Sequence, residues 1–357
     1  MRVFVSEFIC GGACANPSSK PSLAREGRAM LEALLVDFRQ VPGCHVITTW
    51  NSCLGEFPVN GIECITVETP TNEAAEFRRL TSEADVTFVI APEFDGILAN
   101  RRRLSDEVGG HWPGCQIEAI ELCADKLALF EHLDQRQIPT VPTALWNPSC
   151  IPDAANFPAV LKPRDGAGST DVRLIDRPED MPAVFTAEEA NRFVVQPYIA
   201  GRAISVAVLC STDGESVEIF PAAEQHLSSD GSHDGRFHYL GGQVPIASAP
   251  DHAVEELVRR ACDSIPGLNG YIGFDLILPD AAPEQPLIVE INPRLTTSYL
   301  GYREHANENL ATRMLPSNSN RPPISWKPTF VEWTADGVVS SQPDASARDA
   351  GFPSNQE

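Results

Sequence analysis

The sequence is short of positive charge, has no long apolar run and has no closely paired cysteines. Its 27 Lys and Arg residues face 49 Asp and Glu, a formal net charge of −22. That balance opposes long-range attraction to a nucleic-acid backbone or an anionic membrane, so neither is expected as a partner. No stretch approaches the roughly 20 apolar residues that a bilayer crossing requires. The first residues, Met1 to Glu7, read as a charged start running into a strand without a leader-like apolar core, so a cytoplasmic address is expected. The ten cysteines include no Cys-x-x-Cys pair, which argues against a zinc site and favours buried thiols. His226, His233 and His238 lack tight ligand spacing. Neither a Walker loop nor the Gly-x-Gly-x-x-Gly fingerprint after the first strand is present. The only basic run, Arg101-Arg102-Arg103, reads as a solvated loop or helix face.

What is present is a 357-residue chain, 43% hydrophobic, long enough for two or three lobes. Val3-Phe4-Val5, Val46 to Thr49 and Val86 to Ile90 read as buried strands. A helix from about Ser22 to Phe38 lines up Leu23, Met30, Leu31, Leu34, Leu35 and Phe38 on one face. Alternating strand and helix imply a parallel, doubly wound sheet in residues 1–114. Helices around Ile117 to Cys123 and Lys126 to Gln135 open a second region, 115–315, of α+β character with antiparallel strands at 159–162, 193–196, 204–209, 272–278 and 287–291. Residues 316–357 read as an extension, mobile at its polar end, with 329–333 as a strand that packs back.

Several polar residues sit where chemistry is expected. Residues two apart on a strand share a face, so Glu290 and Asn292 address one object, and Asp275 joins them if its strand is the neighbour. Three such oxygen ligands suit magnesium; ordinary strand ends and an Asn-Pro turn remain the alternative. Lys162 ends an apolar strand ahead of a loop carrying Gly166, Gly168 and Ser169, where backbone N–H groups and a cation would meet a polyphosphate; a plain turn fits equally well. Lys126 opens a helix, and Gln196-Pro197-Tyr198-Ile199 ends a strand with the means to read a base edge.

In this order, Lys126, Lys162 with its Gly-rich loop, the Gln196–Ile199 hinge, Asp275, and Glu290-Ile291-Asn292-Pro293-Arg294 resemble the motif set of the ATP-grasp superfamily. The resemblance implies an N-terminal parallel α/β pre-ATP-grasp domain followed by a two-subdomain ATP-grasp fold. It implies ATP with its phosphates on Lys126 and Lys162 and its base on Gln196, Tyr198 and Ile199. One or two Mg²⁺ ions, with Mn²⁺ as an alternative, would sit on Asp275, Glu290 and Asn292. The implied reaction is carboxylate–amine ligation through an acyl phosphate, with Lys162 and Arg294 catalytic. Two positions depart from the usual pattern: Ala203 stands where many members carry an acid for the ribose, and Gly273 where several peptide-forming members carry an arginine.

Shorter patches, Glu7 to Gly12, Glu26 to Leu31, Ala91 to Leu98 and Arg294 to Tyr299, are similar to the tyramine-glutamate ligase group of methanofuran biosynthesis and its bacterial relatives in tetrahydromethanopterin-dependent one-carbon metabolism. That similarity implies small-molecule carboxylate and amine substrates, glutamate or a related amino acid among them. Glu224 would then orient an ammonium, Arg236 and Arg294 would meet carboxylate or acyl phosphate, and a homodimer is compatible. The competing expectations are a D-amino-acid dipeptide ligase, a carboxylase, or a non-catalytic nucleotide-binding protein.

Overall fold

The computed structural model describes residues 1–147, 157–166, 171–181, 186, 190–211, 216–229, 236–246, 249–316 and 321–343. Gly168, Ser169, His233 and the polar end from residue 344 onward, all named above, lie outside the described residues.

The N-terminal part is built from β1 (Arg2–Glu7), α1 (Pro21–Gln40), β2 (His45–Asn51), β3 (Glu63–Val67), α2 (Pro70–Glu83), β4 (Val86–Ile90) and α3 (Ile97–Glu107). The strands are parallel in the order β3-β2-β1-β4. The order reverses beside β1, so the loops after β1 and β4 part and leave a crevice at the carboxyl ends of the strands, where doubly wound folds place ligands. On α1 the apolar face falls as the spacing predicts, with Leu31, Leu34, Leu35 and Phe38 at 0–1% exposure. Arg101 departs from the solvated reading. Its guanidinium is buried at 2.7 Å from Glu73 on α2 and lies over the rings of Phe8 and Phe77.

Two short helices, α4 (Ile117–Ala124) and α5 (Lys126–Asp134), lead into a small antiparallel sheet of β5 (Ala144–Leu145), β6 (Ala159–Pro163), β7 (Arg173–Ile175) and β8 (Phe193–Pro197), in the order β5-β8-β6-β7. The largest sheet follows: β9 (Gly201–Cys210), β10 (Val217–Ile219), β11 (Ala223–Ser229), β12 (Phe237–Val244), then α6 (Asp251–Ser264), β13 (Gly270–Pro279) and β14 (Leu287–Asn292). After α7 (Tyr299–His305) and α8 (Ala311–Met314) the chain returns as β15 (Thr329–Thr334) and β16 (Val339–Pro343). The sheet order is β14-β13-β9-β11-β12-β15-β16, with β10 paired to β9.

Within the described part of the extension, Thr329–Thr334 and Val339–Pro343 join the large sheet. Trp333 on β15 is 1% exposed and donates its indole N–H to Tyr239 on β12 at 2.9 Å. Gly241 beside it has φ +140°, and a Cβ there would lie 1.9 Å from the Trp333 carbonyl oxygen, so only glycine lets β15 pair this closely.

The N-terminal sheet and the large sheet are joined through Asp37 at the end of α1. Its carboxylate receives two N–H groups of Arg303 (2.6 and 2.8 Å) and the Tyr299 hydroxyl (2.6 Å), both from α7. With the Asp37 side chain 7% exposed, removing the cation would strand a buried charge. Arg303→Met is expected to lower unfolding free energy by about 3–5 kcal/mol in chemical denaturation; a change under about 0.5 kcal/mol would mean that the contact carries nothing.

Candidate active site

The site lies where the small and large sheets face each other, in a cavity of about 660 Å³. Asp125 sets one wall. It caps α5 by accepting from the amides of Leu127 (3.1 Å) and Ala128 (3.2 Å), and its carboxylate also takes a two-pronged bond from Arg164 (2.7 and 2.5 Å). The Lys126 amide donates to the Arg164 carbonyl (3.0 Å). These bonds tie α5 to the end of β6 and turn Lys126 inward, to 8% exposure. Its ammonium donates to the Gly166 carbonyl at 2.7 Å and lies 3.4 Å from Glu290. Lys162, at the end of β6, is 4% exposed.

Opposite them, β13 and β14 pair with Asp275 against Glu290 and Gly273 against Asn292. The alternation read in the sequence thus places all three polar side chains on one face. The Asn292 amide donates to one Asp275 oxygen (2.9 Å) and Gln225 to the other (2.7 Å). Burial and the nearby Glu290 charge push the Asp275 carboxyl up to about 7. Burial also acts against the Glu290 charge, but Lys126 and Lys162 outweigh it and hold its pKa below the usual value. A hard cation would relieve this crowding. The donor set offers two carboxylates and the Asn292 amide oxygen, whose NH₂ is already committed to Asp275, and it fits magnesium. Among the described residues no group of three His, Cys, Asp and Glu side chains is placed to hold a metal.

The hinge also lines the cavity. Gln196 is 5% exposed and its amide N–H donates to Thr143 at 2.7 Å, while the Tyr198 amide donates to the Pro158 carbonyl at 2.9 Å. Pro197, Tyr198, Ile199 and Gly166 share the lining. Ala203 faces the same space, paired with Ile277, and the lining continues to Asp280, just beyond the Pro279–Gly201 pair. Gly273 has a clear reason. A Cβ there would lie 2.3 Å from Thr296 Cγ2, so the loop after β14 fills the room that an arginine would need.

At the far end Arg294 lines the cavity, paired with Glu93. Glu93, from the loop after β4, accepts from Nη2 at 3.0 Å and lies 2.8 Å from Nε as an ion pair without a hydrogen bond, and Nη1 donates to the Leu295 carbonyl at 3.1 Å. Glu26 on α1 lines the same end. Sequence reasoning assigned no role to Glu93, Glu26, Gln225 or Asp280. The first two come from the N-terminal sheet through contacts that no local pattern encodes, although both lie in the patches Ala91 to Leu98 and Glu26 to Leu31. Glu224 lines the cavity and accepts from Gln243 at 3.3 Å. Arg236 sits beside β7, where it bridges to Arg173, outside that lining; Phe237 and Tyr239 are the members of its segment that reach it.

With this geometry in place, family profiles match in register: a pre ATP-grasp 3 domain at residues 44–120 and an ATP-grasp domain at residues 123–298. The chain belongs to the ATP-grasp ligases. It is similar to a tyramine–L-glutamate ligase of Methanocaldococcus jannaschii, 22% identical over 326 residues, covering 91% of this chain and 92% of the other. Among solved structures, an ATP-grasp superfamily protein from Archaeoglobus fulgidus superposes with TM-score 0.67 at 22% identity, covering 93% and 92% of the two chains. The biotin carboxylase domain dimer of Hydrogenobacter thermophilus 2-oxoglutarate carboxylase, in complex with MgADP, ADP and bicarbonate, superposes with TM-score 0.68 at 16% identity over 93% of this chain and 73% of that one. In this ATP-grasp ligase no helix among the described residues is long and apolar enough to cross a membrane.

Lys162 gives the site a measurable signature. Loss of water on burial lowers its pKa from 10.5 to about 8; Glu290 opposes this and Lys126 adds to it. Between those two values the unfolded chain holds a proton that the folded chain lacks, so this group makes stability rise with pH. Without nucleotide, the stability of the wild type relative to Lys162→Met should increase from about pH 7.5 to about pH 9.5 in paired urea titrations. A difference that stays flat would contradict the buried, destabilised ammonium.

Proposed function

We propose that this ATP-grasp ligase joins a carboxylate to an amine through an acyl phosphate, with glutamate or a related amino acid as one substrate, in the making of a methylofuran- or tetrahydromethanopterin-type one-carbon cofactor. The observation that carries the chemistry is the convergence of Lys126, Lys162, Asp275, Glu290 and Asn292 on one cavity that runs from the hinge to Arg294. The likeness to the tyramine–L-glutamate ligase over nine-tenths of both chains supports the substrate class.

In this reading the adenine lies on Gln196, Tyr198 and Ile199, and the phosphates lie between Gly166 and the two lysines. Lys162 arrives with little water to lose, so a polyphosphate restores to its ammonium what burial removed. Asp275, Glu290 and Asn292 would hold magnesium, which supplies charge neutralisation for the transferring phosphoryl group. A carboxylate oxygen of the substrate attacks the γ-phosphorus and ADP leaves. The amine then attacks the acyl carbon, and phosphate departs with the carboxylate oxygen. The lysines neutralise charge on the transferring group, and Arg294, held rigid by Glu93, presents a fixed positive field at the acyl end.

The test is ADP and phosphate release with Mg²⁺ and ATP across a panel of amino acids and primary amines, with the amide detected by mass. Lys162→Ala and Glu290→Gln should each reduce amide formation by at least about a hundredfold while the circular dichroism spectrum is retained. Full activity in either variant would sink the site assignment. Strict dependence on bicarbonate would mark a carboxylase instead, and nucleotide binding with no turnover across the panel would mark a binding protein.

A further inference from the structure

The charges along the cavity do not balance at its far end. At the phosphate end two lysines, Lys126 and Lys162, face two carboxylates, Asp275 and Glu290. At the other end Arg294 is already paired with Glu93, with Nη2 donating at 3.0 Å and Nε 2.8 Å away as an ion pair, and Nη1 donates to the Leu295 carbonyl. That leaves Glu26. It is 8% exposed, and it accepts from two neutral hydroxyls, Ser22 at 2.9 Å and Thr297 at a long 3.4 Å. Arg294 and Arg25 act on it only through space, and burial pushes its carboxyl up. A carboxylate stripped of water without a bonded cation costs several kcal/mol, on the order of what a buried ion pair loses when one partner is removed. Here the missing partner has a route in, because Glu26 lines the cavity itself. Glu224, the other carboxylate at hand, is half-exposed and keeps part of its hydration.

We propose that Glu26 seats the ammonium group of a substrate, so that α1 of the N-terminal part completes the acceptor end of the cavity. The inference rests on the ligase reading and deepens it. The ligand is a primary ammonium, and its placement beside Arg294 and the Thr296–Ser298 hydroxyls puts it at the acyl end, away from the hinge. Charge favours this class: with both Glu26 oxygens already accepting from Ser22 and Thr297, an ammonium needs only one short charge-assisted bond. Two sources share the chemistry: the α-ammonium of an amino-acid substrate, and the incoming amine in its protonated form before attack.

Glu26→Gln is a mild change. The amide keeps an acceptor for Ser22 or Thr297 and removes a buried charge, so melting no lower than the wild type is expected. The deciding experiment is calorimetric titration of L-glutamate and of tyramine into wild-type protein and Glu26→Gln, both held with Mg²⁺ and a non-hydrolysable ATP analogue. At least one of the two ligands should bind the wild type and bind Glu26→Gln at least about tenfold more weakly, with affinity for the nucleotide analogue within about twofold. Its deaminated counterpart, glutarate or 4-ethylphenol, should not distinguish the two proteins. A loss confined to glutamate assigns the α-ammonium, and a loss confined to tyramine assigns the incoming amine. Equal affinity of both proteins for both ligands would overturn the proposal, as would a wild type that takes up the nucleotide analogue but neither ammonium. Failure of the wild type to bind the nucleotide analogue would overturn the ligase reading first, and this inference with it.

Discussion

Everything at this site depends on holding two buried ammonium groups against two partly exposed carboxylates on the wall of one cavity. Lys126, Lys162, Asp275 and Glu290 are contributed by a helix and two different sheets, and no pair of them is an isolated ion pair. Two of them carry the strain: burial pulls Lys162 down toward neutrality, and burial with the neighbouring Glu290 charge pushes Asp275 up toward it. Such a cluster is a poor way to stabilise a fold and a good way to await a ligand that carries both signs. A metal-bound polyphosphate has that character. The scaffold meets the cost elsewhere, in apolar layers behind β9 and β13, where Val206, Val208, Ile272 and Phe274 are fully buried.

The N-terminal part is more than a preface to this cavity. Its doubly wound order opens a crevice beside β1 and β4, and the loop leaving β4 sends Glu93 from that crevice to clamp Arg294. α1 then contributes at both of its ends: Asp37 ties it to α7, and Glu26 faces the cavity. The geometry of the Arg294 end of the cavity is thus set by the docking of two sheets, while the Lys126 and Lys162 end is internal to the second region. The C-terminal strands add one more constraint. Trp333 on β15 fixes the Tyr239 hydroxyl, which lies in the cavity wall.

Much of this was legible in the residues. The apolar face of α1 and the runs at Val3, Val46 and Val86 carry their own periodicity, and the alternation of Glu290 and Asn292 dictates a shared face. What stayed hidden has physical causes. β11 and β12 are missing from the strands read in the sequence because one face of each borders a polar cavity and the alternation of apolar residues is lost. Arg101 read as solvated because its partner, Glu73, lies on another helix and its stacking ring, Phe8, on the loop after β1. Lys126 turns inward only because Arg164, far along the chain, pulls on Asp125. Gly273, a departure from the family pattern, is explained by Thr296, a neighbour that only the closed loop reveals. Contacts of long sequence separation leave no mark on local pattern.

Conversion of a substrate carboxylate to an acyl phosphate in this cavity is the step on which the functional reading turns. The most direct measurement uses glutamate labelled with ¹⁸O in its carboxylates, unlabelled ATP, and the amine that supports turnover, followed by mass analysis of the phosphate-containing products. Acyl-phosphate chemistry predicts one labelled oxygen in each inorganic phosphate released with ADP. Label appearing in AMP, or phosphate released with no label while amide accumulates, would contradict it.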